Sequence, residues 1–311
     1  MGLLPASNRC SRRWNNMRPT EAETTSRSGG KRKIKKKLII VSEGYRTEQN
    51  YFIAIKDEWG GLKFNTIMEL RILNRFSVDA GKSDPSALAN IVKEYIAFIE
   101  TGIYSVNLFA GRFIESMMDS EAIRGGEISQ VRSEIESLLS EKGLISCDTI
   151  TDVKIAEDEC LRHFRTQNVT DFALADYSME YYKGDVICLV VDRDKEARSS
   201  QAYSEFLRKC REEKFRPFVT NPKFELWALF HFDETEKLIS DLKDKTKCIT
   251  VLEREIRKRH INKDYDFHTL VYHVNTAMDI SKAFRNDPEN LKNEVGTNLP
   301  DLIDLMRTGG R

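Results

Sequence analysis

Asp185-Val186-Ile187-Cys188-Leu189-Val190-Val191-Asp192-Arg193-Asp194 is the stretch on which the fold turns. The run from Val186 to Val191 has no polar position, which marks a strand covered on both faces, as in parallel sheets. It ends abruptly in three charged residues. Upstream, Lys37-Leu38-Ile39-Ile40-Val41 has the same character and ends in Ser42-Glu43-Gly44. Thr47-Glu48-Gln49-Asn50 then opens a helix, with Thr47 as N-cap and Tyr51, Phe52 and Ile55 as its apolar face. Residues 66–74 alternate in Ile, Leu and Met and read as a second strand. Ser83-Asp84-Pro85 caps a second helix, with Pro85 at the first helical position. Its inward face is Leu88, Ile91, Val92, Tyr95 and Ile96. Downstream of Asp194 the pattern predicts a helix over 200–213 and a short strand, Arg216-Pro217-Phe218-Val219. A further helix begins at Asn221-Pro222 and carries Phe224, Leu226, Trp227, Leu229 and Phe230. Strand–helix alternation of this kind predicts the α/β class, an open parallel sheet covered by helices.

Working outward, the 311 residues divide by composition. Residues 1–36 form a basic tail without apolar periodicity, the signature of a disordered segment. Residues 37–100 and 183–234 carry the two halves of the sheet. Between them, 101–182 is a mostly helical insertion with fifteen acidic against seven basic residues. Residues 235–311 read as helical to the end. The net charge of zero therefore hides opposite-signed blocks, eleven Lys/Arg against two Glu in 1–37 being the most basic. Such blocks point either to separate surfaces for separate partners or to ordinary solvated faces. Nothing approaches the ~20 apolar residues of a membrane helix, and the N-terminus lacks a secretory signal. The six cysteines stand far apart with no C-x-x-C pair. That argues against a zinc site or a disulfide framework and for a reducing cytoplasm.

Three acidic residues fall where chemistry is expected. Glu43 follows the first strand, and Asp192 and Asp194 follow the third. In an open parallel sheet, ligands bind beyond the carboxyl ends of the strands, so all three point to one crevice. If the strand persists, Asp192 and Asp194 leave on the same face. Carboxylates gathered in a partly desolvated crevice repel one another unless a cation neutralises them. Hard oxygen ligands favour Mg²⁺ or Mn²⁺ over zinc. Gly44 allows a sharp turn after Glu43.

The order Val41-Ser42-Glu43-Gly44 … Val190-Val191-Asp192-Arg193-Asp194 resembles the Toprim signature of topoisomerases, primases and OLD-type nucleases. More closely, the chain is similar to the RloB-like family, Toprim-like proteins of restriction and abortive-infection loci. The segments that carry this resemblance are Glu43 to Phe52, Lys82-Ser83-Asp84-Pro85, Val191 to Asp194, Thr220 to Trp227 with His231-Phe232, and Gly296-Thr297-Asn298. The basic tail and the 101–182 insertion lie outside the family pattern, and Lys223 stands where the family often has a small residue or Cys.

The resemblance implies a Toprim/Rossmann-like sheet and a metal-dependent nuclease that hydrolyses phosphodiester bonds of RNA, tRNA included, or of DNA. In that scheme Asp192 and Asp194 hold Mg²⁺ (or Mn²⁺), and Glu43 is a metal ligand or the general acid/base. Glu48, read as one turn into the first helix, holds a second ion. Arg46 and Lys82 are candidate phosphate clamps at helix entries. Asn221 and Glu225 are candidates for the wall of a substrate-binding site, although Glu225 also suits a helix N-terminus electrostatically. Family members sit beside an AAA- or ABC-type ATPase, for which the acidic insertion offers a docking surface. Two other readings compete: a non-catalytic nucleic-acid-binding or regulatory subunit with a Toprim shell, and a nucleotide-sugar transferase using the D-x-D pair. The latter leaves Glu43-Gly44 and Asn221-Pro222 unexplained. His231 reads as a satisfied helix-end histidine. The Arg254-Arg257-Lys258-Arg259 face either tracks a nucleic-acid backbone or is an ordinary solvated face.

Overall fold

The computed structural model describes residues 36–44, 47–65, 68–72, 85–119, 122–164, 184–193, 199–261 and 265–309. β1 (Lys36–Ser42) leads into α1 (Thr47–Asp57), and β2 (Met68–Ile72) is followed by α2 (Pro85–Thr101). Next come α3 (Val106–Asp119), α4 (Ile128–Glu141), a hairpin of β3 (Ile145–Ser146) and β4 (Thr149–Ile150), and α5 (Val153–Phe164). The sheet resumes with β5 (Val186–Asp192), α6 (Ser200–Glu213) and β6 (Arg216–Asn221). Short helices then follow: α7 (Glu225–Leu229), α8 (Ile239–Lys243), α9 (Cys248–Arg259), α10 (Phe267–Val271), α11 (Val274–Ser281) and α12 (Pro288–Leu291). β7 (Gly296–Thr297) and α13 (Leu299–Thr308) close the described chain.

The five-stranded sheet has the order β2-β1-β5-β6-β7. Its first four strands are parallel, and β7 runs antiparallel to β6. The chain steps outward from β1 to β2 and then returns to the other side of β1 with β5. That reversal is a topological switch point, and it opens a crevice beyond the carboxyl ends of β1 and β5.

The apolar runs are covered on both faces, as their composition requires. Leu38 and Ile40 of β1 and Val186, Cys188 and Val190 of β5 pack into a core shared with α1, α7 and the C-terminal helices. Their neighbours Ile39, Val41, Ile187, Leu189 and Val191 pack into a second core with Leu88 and Val92 of α2 and Tyr203, Phe206 and Leu207 of α6. A third core unites α3, α4, α5 and the hairpin, with Ile91 of α2 joining it. This is the described part of the acidic insertion, and it carries its own apolar centre.

Three sequence expectations need correction. The region after Asp233 is not helical throughout, because β7 adds an antiparallel edge to the sheet. β6 runs on to Asn221, so the following helix starts at Glu225 rather than at Asn221-Pro222, whose peptide bond is cis. Thr47 is the first helical residue of α1 rather than its cap, which places Glu48 in the first turn.

β7 escapes the sequence because side chains do much of its pairing. Asn298 Oδ1 accepts from Val219 N at 2.6 Å and its Nδ2 donates to Pro217 O at 2.9 Å, so one amide side chain extends the ladder beside β6. Thr297 Oγ1 donates to Val219 O at 2.9 Å and lies 3.0 Å from Thr220 Oγ1. A Cβ at Gly296 would strike the Phe284 carbonyl, so only glycine permits this approach. Removing the Asn298 amide leaves buried backbone groups unpaired. Asn298→Ala is therefore expected to cost about 2–3 kcal/mol, read as a lower urea midpoint with an unchanged m-value.

Candidate active site

Parity along β5 decides where the site lies. Val186, Cys188 and Val190 face α1 and α7, and Asp192 continues that row at the strand's carboxyl end. Arg193 turns the other way: it is buried, and its guanidinium sits 5.0 Å from the Tyr203 ring centroid on α6. Its amide still donates to Thr220 O at 2.8 Å, so the strand geometry persists one residue past Asp192.

β1 delivers Glu43 to the same point. The Glu43 amide donates to Val190 O at 2.8 Å, and its carboxylate Oε2 accepts from the Asp192 amide at 3.2 Å. Glu43 and Asp192 thus meet at the switch point. Glu48 comes from the first turn of α1 and folds back against Gly44, where its carboxylate fills the space a Cβ would take. Only 7% of Glu48 is exposed, so a carboxyl is held here against a large desolvation cost. Gly44 is not in the left-handed region. Its role is instead steric, because a Cβ there would overlap the Glu48 carboxylate.

α7 brings a fourth carboxylate. Glu225 opens α7, and its charge bears on both Glu48 and Asp192. Burial, then repulsion from Glu225 and Glu43, pushes the Glu48 carboxyl up to about 7. Burial, then repulsion from Glu48, Glu43 and Glu225, holds Asp192 well above the usual carboxylate range. The two buried acids are thus biased towards their protonated forms.

The donor chemistry of these carboxylates fits a hard dication, which would relieve the repulsion both acids feel. Among the described residues, no group of three or more His, Cys, Asp or Glu is arranged to hold a metal ion. Asp194, Arg46 and Lys82 lie outside the described residues. Asn221, read from sequence as part of a substrate-binding wall, is buried, and both its amide hydrogen bonds go inward, to Leu291 O and Glu294 O at 2.8 Å each. It braces the loop behind the site. Glu225 joins the carboxylates and repels both Glu48 and Asp192. On α9, Arg254 and Arg259 flank the buried Glu255 at 3.1 and 3.6 Å. That part of the basic face is engaged within the fold.

The chain as a whole matches one family model, that of RloB-like proteins, over residues 38–306. The chain belongs to the RloB-like family. No curated protein and no solved structure matches it. The match runs through the sheet and the C-terminal helices of this RloB-like chain, and it also takes in 101–182, which corrects the expectation that this segment lies outside the family pattern.

Behind the site of the RloB-like chain stands a closed histidine. His231 Nδ1 lies 3.1 Å from Trp227 O, which can only accept, so Nδ1 carries the hydrogen. Nε2 then accepts from the Tyr51 hydroxyl at 3.2 Å. With both nitrogens used, it is a satisfied core histidine. Burial first, and His273 as a minor cause, lower it to about 3. The unfolded chain therefore takes up a proton below about pH 6.5 that the folded chain refuses until pH 3. Stability from this group is present above pH 6.5 and is lost as pH falls through that window. Wild type is expected to lose about 2 kcal/mol more than His231→Gln between pH 7.5 and 5, measured by urea unfolding. Equal losses in the two proteins would contradict the buried, neutral assignment.

Among the described residues, Cys160, Cys188, Cys210 and Cys248 are buried, with thiols pushed up chiefly by desolvation, and Cys147 is exposed; none is paired. No helix among the described residues is long and apolar enough to cross a membrane.

Proposed function

We propose that this RloB-like chain is a divalent-metal-dependent nuclease of the Toprim type, hydrolysing phosphodiester bonds of RNA (tRNA included) or DNA in anti-phage abortive-infection defence. The observation that carries this reading is the meeting of Glu43 and Asp192 at the switch point of a parallel sheet, joined by the buried Glu48. Such a concentration of desolvated carboxylates is costly and serves no packing purpose.

Asp192, Asp194 and Glu43 are the residues proposed to hold Mg²⁺ or Mn²⁺, with Glu48 at the margin of a second position. When bound, the cation offsets the charge of the phosphodiester and activates water near neutral pH. Glu43, fixed by the Asp192 amide, orients the site between β1 and β5. Glu48, held near 7 by burial, is suited to giving or taking a proton at its carboxyl under working conditions. Arg46 and Lys82 are proposed phosphate clamps.

An AAA- or ABC-type ATPase encoded nearby is the proposed controlling partner, docking on the acidic insertion, which has its own core. The test is cleavage of end-labelled RNA and DNA with Mg²⁺ or EDTA, with and without that ATPase. Cleavage that needs Mg²⁺ is the expected result. Nucleic-acid binding without cleavage in every arm would favour the non-catalytic shell instead.

A further inference from the structure

The Glu48 carboxyl is buried in the first turn of α1. A polar contact between α1 and the residues just past α7 lies one turn deeper. Tyr51 donates its hydroxyl hydrogen to His231 Nε2 at 3.2 Å, and its ring packs edge-on against Phe224 at 5.4 Å and His231 at 5.5 Å. Trp227 closes the far side, 5.2 Å from the His231 ring. Its indole N–H stands near the Tyr51 oxygen without a closed hydrogen bond. Tyr51, Trp227 and His231 are each at most 2% exposed. This buried polar contact therefore joins α1, one turn past Glu48, to the residues just after α7, and the Phe224 ring that packs on Tyr51 directly precedes Glu225.

We infer that Tyr51 and His231 are positioning residues: their hydrogen bond sets α1 against α7 and thereby places the Glu48 carboxyl relative to Asp192 and Glu225. An apolar pair of the same volume would pack as well but slide. A hydrogen bond between two fully buried groups has one register, because any displacement leaves a donor and an acceptor unpaired. The inference rests on the proposed metal site for its consequence, but not for its geometry.

Tyr51→Phe keeps the ring and removes only the hydroxyl. Hydrogen exchange on the metal-free protein reads the amide of Gly44, against which the Glu48 carboxylate packs, and that of Glu48 itself. These are expected to exchange at least tenfold faster, while Ile55 further along α1 stays as in wild type. His231→Leu should reproduce the effect, and His231→Gln, which retains an acceptor, should restore protection. Mn²⁺ affinity is expected to fall about tenfold in Tyr51→Phe, with no further fall when Tyr51→Phe is added to Glu48→Gln. Unchanged exchange at Gly44 and Glu48 would overturn the inference. So would uniform loosening of all of α1, which marks a purely structural contact. If wild type binds no Mn²⁺ at all, the metal-site reading fails, and the exchange measurement still decides the positioning role.

Discussion

Asp192→Asn is expected to make the metal-free protein more stable while removing the proposed nuclease activity. The carboxyl of Asp192 is desolvated and repelled by Glu48, Glu43 and Glu225. Asparagine keeps the shape of the side chain and discards the charge. A group whose folded pKa is raised contributes stability that is fully present below its unfolded value, near 4, and is lost as pH rises through the folded value. The gain from Asn is therefore small at pH 4 and grows with pH. About 1–3 kcal/mol is expected at pH 8, or roughly 2–8 °C in Tm for a chain of this size. Added Mg²⁺ should raise the wild-type Tm and leave the variant unmoved, since a ligand that binds only the folded state stabilises it in proportion to its occupancy. Cleavage should fall by at least about 10²-fold. A variant that is less stable without metal, yet cleaves in proportion to its folded fraction, would mark Asp192 as a structural carboxylate.

Gly44→Ala should separate stability from activity in a different way. Because Gly44 is outside the left-handed region, alanine carries no backbone penalty there. The new Cβ would overlap the Glu48 carboxyl, which is the far end of a flexible side chain and can swing away. Leaving its buried position also relieves desolvation. Stability is expected to stay within about 1 kcal/mol of wild type, while activity falls about 10²-fold, as a misplacement of about 1 Å can cost. In a Glu48→Gln background the same substitution should add little. A loss of several kcal/mol with full activity per folded molecule would show that Gly44 serves the turn and not the acid.

Much of this architecture is written in the sequence at the level of pattern. The two unbroken apolar runs force strands covered on both faces, and the charged residues that end them fall at the switch point. The predicted helix over 200–213 coincides with α6, whose ends are set by Ser199, which accepts from the Ala202 amide at 3.1 Å, and by Lys214 in a left-handed turn. β7 was not legible, because a two-residue strand held by Thr297 and Asn298 side chains leaves no periodicity. The hairpin at Ile145–Ser146 and Thr149–Ile150 is equally short. At the site, Glu43 and Asp192 were readable from position alone. The burial of Glu48, the inward hydrogen bonds of Asn221 and the approach of Glu225 to the other acids depend on how α1 and α7 pack, which no local pattern encodes. Gly44 was flagged for its conformational freedom when its actual service is empty space.

The most direct test of the metal-site claim is a Mn²⁺ titration of the purified chain followed by electron paramagnetic resonance, comparing wild type with Glu43→Gln and Asp192→Asn. Wild type is expected to remove Mn²⁺ from solution, with Mg²⁺ competing for the same position, and each variant should bind at least about tenfold more weakly. Equal Mn²⁺ binding by all three proteins, or none by wild type, would contradict the assignment of these carboxylates to a divalent-cation site.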